Sequence, residues 1–515
     1  MTLPRRHLLA LGAATLAAPT FIRHARAADV PRFALGLASG QPQPDRLVLW
    51  TRLTGRDLPE RAELRWELAF DEAFSRIAAQ GTELAVAADA HSVHAEPTAL
   101  EPDRWYWYRF TALGQQSMVG RTRTAPAPDA AATLRAAITS CQRWDHGHWA
   151  AWRHVAEREL DLVMFLGDYI YEYGSPPSAV RAHDGPLIRT LDQYRARYAQ
   201  YKSDPALQAA HAACPWLIVW DDHEVENDYA RDRGQTLQGP DLLRLRAAAY
   251  KAWWEHQPVP KSMRPVGPDA RIHHRLDWGR LARIHALDAR QFRDPQVCLP
   301  VGRSGGSTVV KAADCPELRD PQRSLLGAAQ EQWLSDGWDL ARPWNLLAQQ
   351  TLMARASRQP VADAAGGQAA DPATGQYWTD GWDGYAPARQ RLLTNVLARQ
   401  VPGVVALGGD MHAHYVANLK PNFDDPKSPV VASEFCGTSI SSRGTAQSAL
   451  DAQLPFNPHL LYGRSDQRGY LAITLDERHL HAELMAVQRP LDALSPVDVA
   501  ARFVVDAMRP GPQRQ

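Results

Sequence analysis

Two rhythms of apolar and polar positions divide the chain. Between residues 32 and 124, the runs LVLWTRL (47–53), ELRWELAF (63–70), HSVHAEPTA (91–99), WYWYRFTAL (105–113) and SMVGRTRT (117–124) are separated by turn-forming stretches. Short strands at such spacing predict an all-β sandwich of the immunoglobulin or fibronectin kind. The segment APAPDAAA (125–132) reads as a linker. From residue 133, strands alternate with helices. LRAAITS (134–140), LDLVMFLG (160–167), WLIVW (216–220) and GVVALGG (403–409) are buried-strand runs. Helices are predicted over 148–160, 191–213, 241–257, 328–341, 345–354 and 387–399. This order predicts an α/β domain with a central sheet. VVASEFCG (430–437) and GYLAITL (469–475) add strands for a second layer of sheet.

The first residues follow neither rhythm. Arg5 and Arg6 precede the apolar stretch Leu8–Ala18, and Ala25-Arg26-Ala27 suits cleavage after a small residue. Paired arginines before a modest apolar core predict a twin-arginine signal over residues 1–27. The expected partner is the twin-arginine export machinery, and the expected location is periplasmic or secreted. Export in the folded state fits a cofactor loaded in the cytoplasm. The apolar core is too short for a permanent membrane span. The remaining units are expected at 28–130 (sandwich), 131–490 (α/β domain) and 491–515 (a C-terminal segment with an amphipathic stretch that could block a pocket).

Composition narrows the partners. The 515 residues include 57 Lys+Arg and 57 Asp+Glu, with 45% hydrophobic and 22% charged residues. Loss of residues 1–27 removes four arginines and no acids, leaving a slightly acidic chain. Nothing in that balance calls for nucleic acid or a membrane surface. Five cysteines form no disulfide framework. Cys298 and Cys315 flank a Gly/Ser-bearing loop and could pair in an oxidising compartment. Cys214 and Cys436 sit in apolar surroundings as core thiols. A monomer is expected.

Chemistry concentrates where apolar strands stop. ITS ends in Cys141, MFLG in Asp168, LIVW in Asp221-Asp222-His223, and ALGG in Asp410-Met-His412-Ala-His414. In open α/β sheets the site lies beyond the carboxyl ends of the strands. Singly, each piece fits a turn residue, a helix cap or a core thiol. Together they predict a metal cage. Read as a strand, HxH puts Asp410, His412 and His414 on one face, because the side-chain period is two. Carboxylates with imidazoles suit hard or borderline divalent ions and iron. The thiolate of Cys141 and the phenol of Tyr171 favour ferric iron at one position, and the carboxylate-rich remainder suits calcium. Glu226 and Asp228, in the same acidic run, are expected to face solvent. Asp380 and Asp383 in TDGWDGY (379–385) are entrance or turn residues.

The ordered set SCQ (140–142), FLGDYIYEY (165–173), VWDDHEVENDY (219–229), LDARQFR (287–293) and GGDMHAHY (408–415) resembles the PhoD-like alkaline phosphatase family. That family belongs among the metallophosphoesterases. The resemblance implies an α/β/β/α sandwich preceded by the small all-β domain. It also implies iron held by Cys141, Asp168, Tyr171 and His414. Asp168 would bridge to calcium, with Asp221 or Asp222, Asp410 and His412 as further ligands. The expected substrates are phosphate mono- and diesters, split by metal-activated hydroxide or oxide. His223 is the expected general acid for the leaving alkoxide. Arg290 would either steady a phosphoryl oxygen or form a structural salt bridge. A diesterase directed at phospholipid or teichoic acid is the alternative. A surface-binding protein with structural metals is the non-enzymatic one.

Overall fold

The computed structural model describes residues 31–364 and 368–515. The signal predicted over 1–27 lies outside the described residues.

Two mixed sheets face each other across the main core. The larger has ten strands in the order Arg509–Arg514, Val497–Asp506, His479–Val487, Arg468–Leu475, Leu134–Thr139, Leu162–Leu166, Trp216–Val219, Leu37–Gly40, Val48–Arg52 and Ser92–Ala95. The other has seven: His274–Trp278, Ala282–Ala286, Trp344–Ala348, Val404–Gly408, Ala432–Cys436, His414–Leu419 and Leu460–Arg464. The central strands Leu162–Leu166, Trp216–Val219, Trp344–Ala348 and Val404–Gly408 are buried along their whole length. They are covered on both faces and therefore read as continuous apolar runs. Ile138, Val163 and Leu471 of the larger sheet share one core with Ile284, Leu346, Val405 and Phe435 of the other.

Helices close the outer faces. Trp152, Tyr198, Leu207 and Trp253 anchor Ala150–Glu157, Leu191–Lys202, Pro205–Ala213 and Pro240–His256 to the larger sheet's core. Leu334 and Leu393 anchor Ala328–Asp336 and Ala386–Ala398 to the smaller. The result is the expected α/β/β/α sandwich.

The expected N-terminal β-sandwich is present, and one of its layers is shared. Ile77–Val86, Arg61–Ala69, Trp105–Ala112, Gln115–Gln116 and Gly120–Arg123 form a separate five-stranded sheet. Its Leu64, Leu68, Tyr108 and Phe110 pack on Leu37, Leu49 and Val93. Those three belong to strands of the ten-stranded sheet. The join is parallel pairing of Gly40 with Trp216. A β-carbon at Gly40 would lie 2.3 Å from the Pro258 carbonyl oxygen and 2.7 Å from that of Trp216, so only glycine permits the approach.

Three expectations are corrected. The stretch 345–354 is a strand, Trp344–Ala348, followed by loop, because a short apolar run fits either period. The helix over 191–213 breaks at Asp204, whose carboxylate caps Ala206 and Leu207 ahead of Pro205. The C-terminal segment supplies the last two strands of the larger sheet, Val497–Asp506 and, at its edge, Arg509–Arg514. Cys298 and Cys315 form a disulfide with Cα atoms 5.9 Å apart, and Cys141, Cys214 and Cys436 are free and buried.

Candidate metal centre

Leu134–Thr139, Leu162–Leu166 and Trp216–Val219 run parallel and deliver Cys141, Asp168 and Asp221-Asp222-His223 to one sheet edge. Val404–Gly408 of the facing sheet delivers Asp410 and His412. The backbone there is unusual. Cys141, Asp168, Asp410 and His412 all have φ between 52° and 61°. Left-handed non-glycine residues cost free energy and persist where surrounding structure holds them, commonly at functional sites. Gly167, at φ 106°, meets the β-carbon of Asp221 at 2.4 Å from where its own would stand, so two strand ends converge only because it lacks one.

The first group is Cys141, Asp168 and His412, whose donor atoms lie within 4.8 Å of one another. Tyr171 joins it: its hydroxyl donates to Asp168 Oδ2 (2.7 Å) and lies 3.3 Å from His412 Nε2. His412 Nδ1–H donates to the Arg443 carbonyl (2.9 Å), which leaves the Nε2 lone pair facing the cage. Burial, then the charge of Arg468, lowers the His412 pKa to about 3, so the imidazole is neutral as a ligand must be. Ser442 Oγ lies 2.7 Å from the Tyr171 hydroxyl and 2.8 Å from the Cys141 carbonyl oxygen, fixing both.

His414 is not brought to this group. The strand begins at His414, and Asp410–Ala413 form a loop, so strand alternation does not relate the two histidines. His414 Nε2–H donates to the Met485 carbonyl (3.2 Å), and Nδ1 accepts the Thr438 N–H (3.2 Å). Both nitrogens are engaged, and His412 occupies the place expected for His414.

The second group is Asp221, Asp222 and Asp410, and a third is Asp168, Asp222 and His223. Asp222 thus faces both Asp168 and Asp410. Asp221 is also bound by Arg290, whose Nε donates to Asp221 Oδ1. The same guanidinium lies 3.3 Å from Asp222 and donates to Asp380 at 2.7 Å. Fully buried and ringed by three carboxylates, Arg290 takes the structural-salt-bridge side of its expectation.

Around these groups stand Glu172 and Glu224, which the sequence did not single out, and four acids that it placed differently. Glu172 accepts the His223 Nδ1–H (2.7 Å) and the Asn227 N–H (2.8 Å). Glu224 accepts the backbone N–H groups of Tyr169, Asp168 and Asp221. Asp380 is buried and accepts from Arg290, Arg293 and Gln296; it is no entrance residue. Asp383 accepts from the Ala356 N–H and Arg389. Glu226 and Asp228 are buried, contrary to expectation. Thr236 donates to Glu226, and Ser307 and Gln235 donate to Asp228. Gln235 and Thr236 lie further along the same loop and Ser307 comes from a remote one, so the acidic run by itself could not reveal them.

Burial weighs against charge on most of these carboxylates. Burial raises Asp168 and Asp221 well above the carboxylate range, with neighbouring carboxylates adding to it. Asp410 is pushed up to about 7, mainly by burial. At Asp222, burial pushes upward, but Arg290 and His223 outweigh it and hold the pKa low. Burial and then Asp168 raise Cys141 and Tyr171. At His223, burial opposes the charge, but Glu172, Asp168 and Asp222 outweigh it and raise the pKa well above the usual value. One oxygen each of Asp168, Asp221, Asp222 and Asp410 is buried with no hydrogen-bond partner among the described residues. Buried, unpartnered carboxylate oxygens beside a thiol, a phenol and a neutral imidazole fit a pair of metal ions.

The two-sheet sandwich, with this donor set beyond its strand ends, defines the metallophosphoesterase-like class of fold. Residues 136–484 match the family model of the PhoD-like phosphatase, and residues 17–126 that of its N-terminal domain. The chain is 40% identical over 491 residues to alkaline phosphatase D of Bacillus subtilis (strain 168), covering 92% of this chain and 80% of that protein. It also matches a solved structure of PhoD with a TM-score of 0.86 and 38% identity, over 94% of this chain and 92% of that one. Purple acid phosphatase PPD1 from yellow lupin shares the fold alone: TM-score 0.50 and 12% identity, over 91% and 74% of the two chains. The chain belongs to the PhoD-like phosphatase family and is an enzyme of that kind, which sets aside the non-catalytic surface binder.

Proposed function

We propose that this enzyme is an exported, metal-dependent phosphoesterase acting on phosphate mono- and diesters. The observation that carries the reading is the convergence of four carboxylates, each with a buried oxygen that accepts no hydrogen bond among the described residues, on Cys141, Tyr171 and His412. Ferric iron suits Cys141, Asp168, Tyr171 and His412. Calcium suits Asp222, Asp410 and Asp221, with Asp168 between the two. When bound, such ions offer positive charge to phosphoryl oxygens and acidify water.

The chain's own residues prepare the rest. Glu172 holds the His223 Nδ1–H, so Nε2 carries the other proton toward the leaving alkoxide. The rings of Tyr171 and Tyr173, with centroids 4.1 and 5.5 Å from that of His223, restrict its orientation. Arg290 neutralises and aligns Asp221 and Asp222. Export is supported by the paired arginines near the N-terminus and by a disulfide that suits an oxidising compartment.

The test is metal analysis of freshly exported protein, with turnover of p-nitrophenyl phosphate and of bis-p-nitrophenyl phosphate before and after chelation. Turnover of both, lost on chelation, is expected. Turnover of the diester alone favours an enzyme directed at phospholipid or teichoic acid. No turnover of either with metals bound overturns the proposal.

A further inference from the structure

A second His/Asp constellation stands at the opposite end of the larger sheet. Arg468–Leu475 and His479–Val487 form a hairpin. Near its start, Arg468 donates to the His412 carbonyl (3.0 Å), beside the cage. At its end, Leu475 pairs with Leu134, where the first strand of the α/β domain begins. Seven residues at about 3.3 Å each separate the hairpin turn from the cage by roughly 23 Å.

At that turn, Asp476 Oδ1 accepts the N–H groups of Arg478 (2.7 Å) and His479 (2.8 Å). The Asp476 carbonyl accepts Trp344 Nε1–H at 2.6 Å. The turn is therefore fixed on both sides, and Asp476 is pinned at its head. His479 and His481 follow on the outward face of the strand, with buried Leu480 between them. Strand alternation applies here, unlike at His412 and His414, because both residues lie within one regular strand. Their ring centroids are 5.9 Å apart. Donor atoms of Asp476, His479 and His481 lie within 4.8 Å of one another, and neither imidazole makes a side-chain hydrogen bond among the described residues. Asp506, opposite His479 on the neighbouring strand, places another carboxylate on the same outward face.

We propose that Asp476, His479 and His481 form a second metal site, separate from the catalytic cage, for a borderline divalent transition ion such as zinc. Two imidazoles with one carboxylate match the ligand preference of such ions, and three protein donors leave positions for water. Ligands of one zinc ion stand about 3–3.5 Å apart at bond lengths near 2.0–2.2 Å. Rotation of the exposed His481 and the half-buried His479 side chains is the movement that would bring their donors to that spacing. The bound ion clips the turn to the strand that carries the C-terminal hairpin, so it acts on stability and leaves the reaction alone.

Cobalt loading of the metallated enzyme, followed by gel filtration, tests this. Retained cobalt and its visible absorption are compared between wild type, a His479→Gln/His481→Gln double variant and Asp476→Asn, whose amide still accepts the turn hydrogen bonds. Wild type is expected to retain one equivalent more than the double variant, and added Zn2+ to raise Tm in wild type alone. Turnover of p-nitrophenyl phosphate is expected to be equal in all three. Equal cobalt retention and equal zinc-dependent Tm in wild type and the double variant overturn the site. Loss of turnover in the double variant overturns its separation from the cage.

Discussion

The Glu224 carboxylate accepts the backbone N–H of Asp168 at 3.1 Å, and the same oxygen takes that of Asp221 at 2.8 Å. Its other oxygen accepts the Tyr169 N–H at 2.5 Å. One buried side chain thus ties the ends of two parallel strands, and through them two residues of the cage. Glu224→Gln presents an amide nitrogen to donors on one side. Each N–H left unmet costs about 1–3 kcal/mol. The expected outcome is a lower urea midpoint together with reduced metal content, read by elemental analysis of folded protein.

The two histidines of GGDMHAHY separate by experiment. His412→Ala is expected to remove the metal at Cys141 and Asp168 and to lower turnover by more than roughly 100-fold, since even outer partners of metal ligands are worth 10–100-fold. His414→Ala leaves the Met485 carbonyl and the Thr438 N–H unmet. It costs about 1–3 kcal/mol of stability while metal content stays normal. The reverse pattern returns the ligand role to His414.

Tyr171 gives a visible signature. If its phenolate binds ferric iron, purified enzyme is coloured by charge transfer, and Tyr171→Phe bleaches the band. An active, iron-loaded and colourless wild type counts against the assignment.

Arg290 is flanked by Asp221, Asp222 and Asp380. Arg290→Met strands these buried charges, and loss of one partner from a buried ion network costs about 3–5 kcal/mol. Denaturant unfolding in chelator is expected to show that loss, and unfolding with metals restored to show less of it.

Acid sensitivity has a source outside the cage. His94 stacks on Trp254 at 4.2 Å, its Nδ1–H donates to the Val259 carbonyl (2.8 Å), and burial lowers its pKa from 6.5 to about 4. Between those values the unfolded chain binds a proton that the native protein does not. Its contribution is full above pH 6.5 and falls as pH drops toward 4, by up to about 1.4 kcal/mol per pH unit. Denaturation midpoints at pH 7 and pH 5 are expected to differ less in His94→Gln than in wild type.

The site was legible at the strand ends, where an apolar run stops abruptly at Cys141, Asp168, Asp221 or Asp410. Burial on both faces writes itself into consecutive residues, and the switch to ligands is equally local. His414 was misplaced because alternation was applied across a loop: the left-handed His412 breaks the period before the strand starts. Glu226 and Asp228 were assigned to solvent because a carboxylate's default is hydration. Their donors lie outside the acidic run: Gln235 and Thr236 further along the same loop, and Ser307 on another. Glu172 and Glu224 lay in quoted motifs, yet their roles depend on chain crossings that no single segment contains. The strand Ile77–Val86 was missed because most of its residues are at least partly exposed.

The backbone pairing of Gly40 with Trp216 bears on how this enzyme could be shortened. Cutting the chain at the 125–132 linker would strip three strands from the larger sheet and leave Trp216–Val219, the strand that carries the acidic run, as a raw margin. Unpaired strand margins recruit other chains. The N-terminal region therefore acts as a hem for the catalytic sheet: a truncated enzyme should be recovered as aggregate, and a chimera should keep Gly40 with its own Trp216.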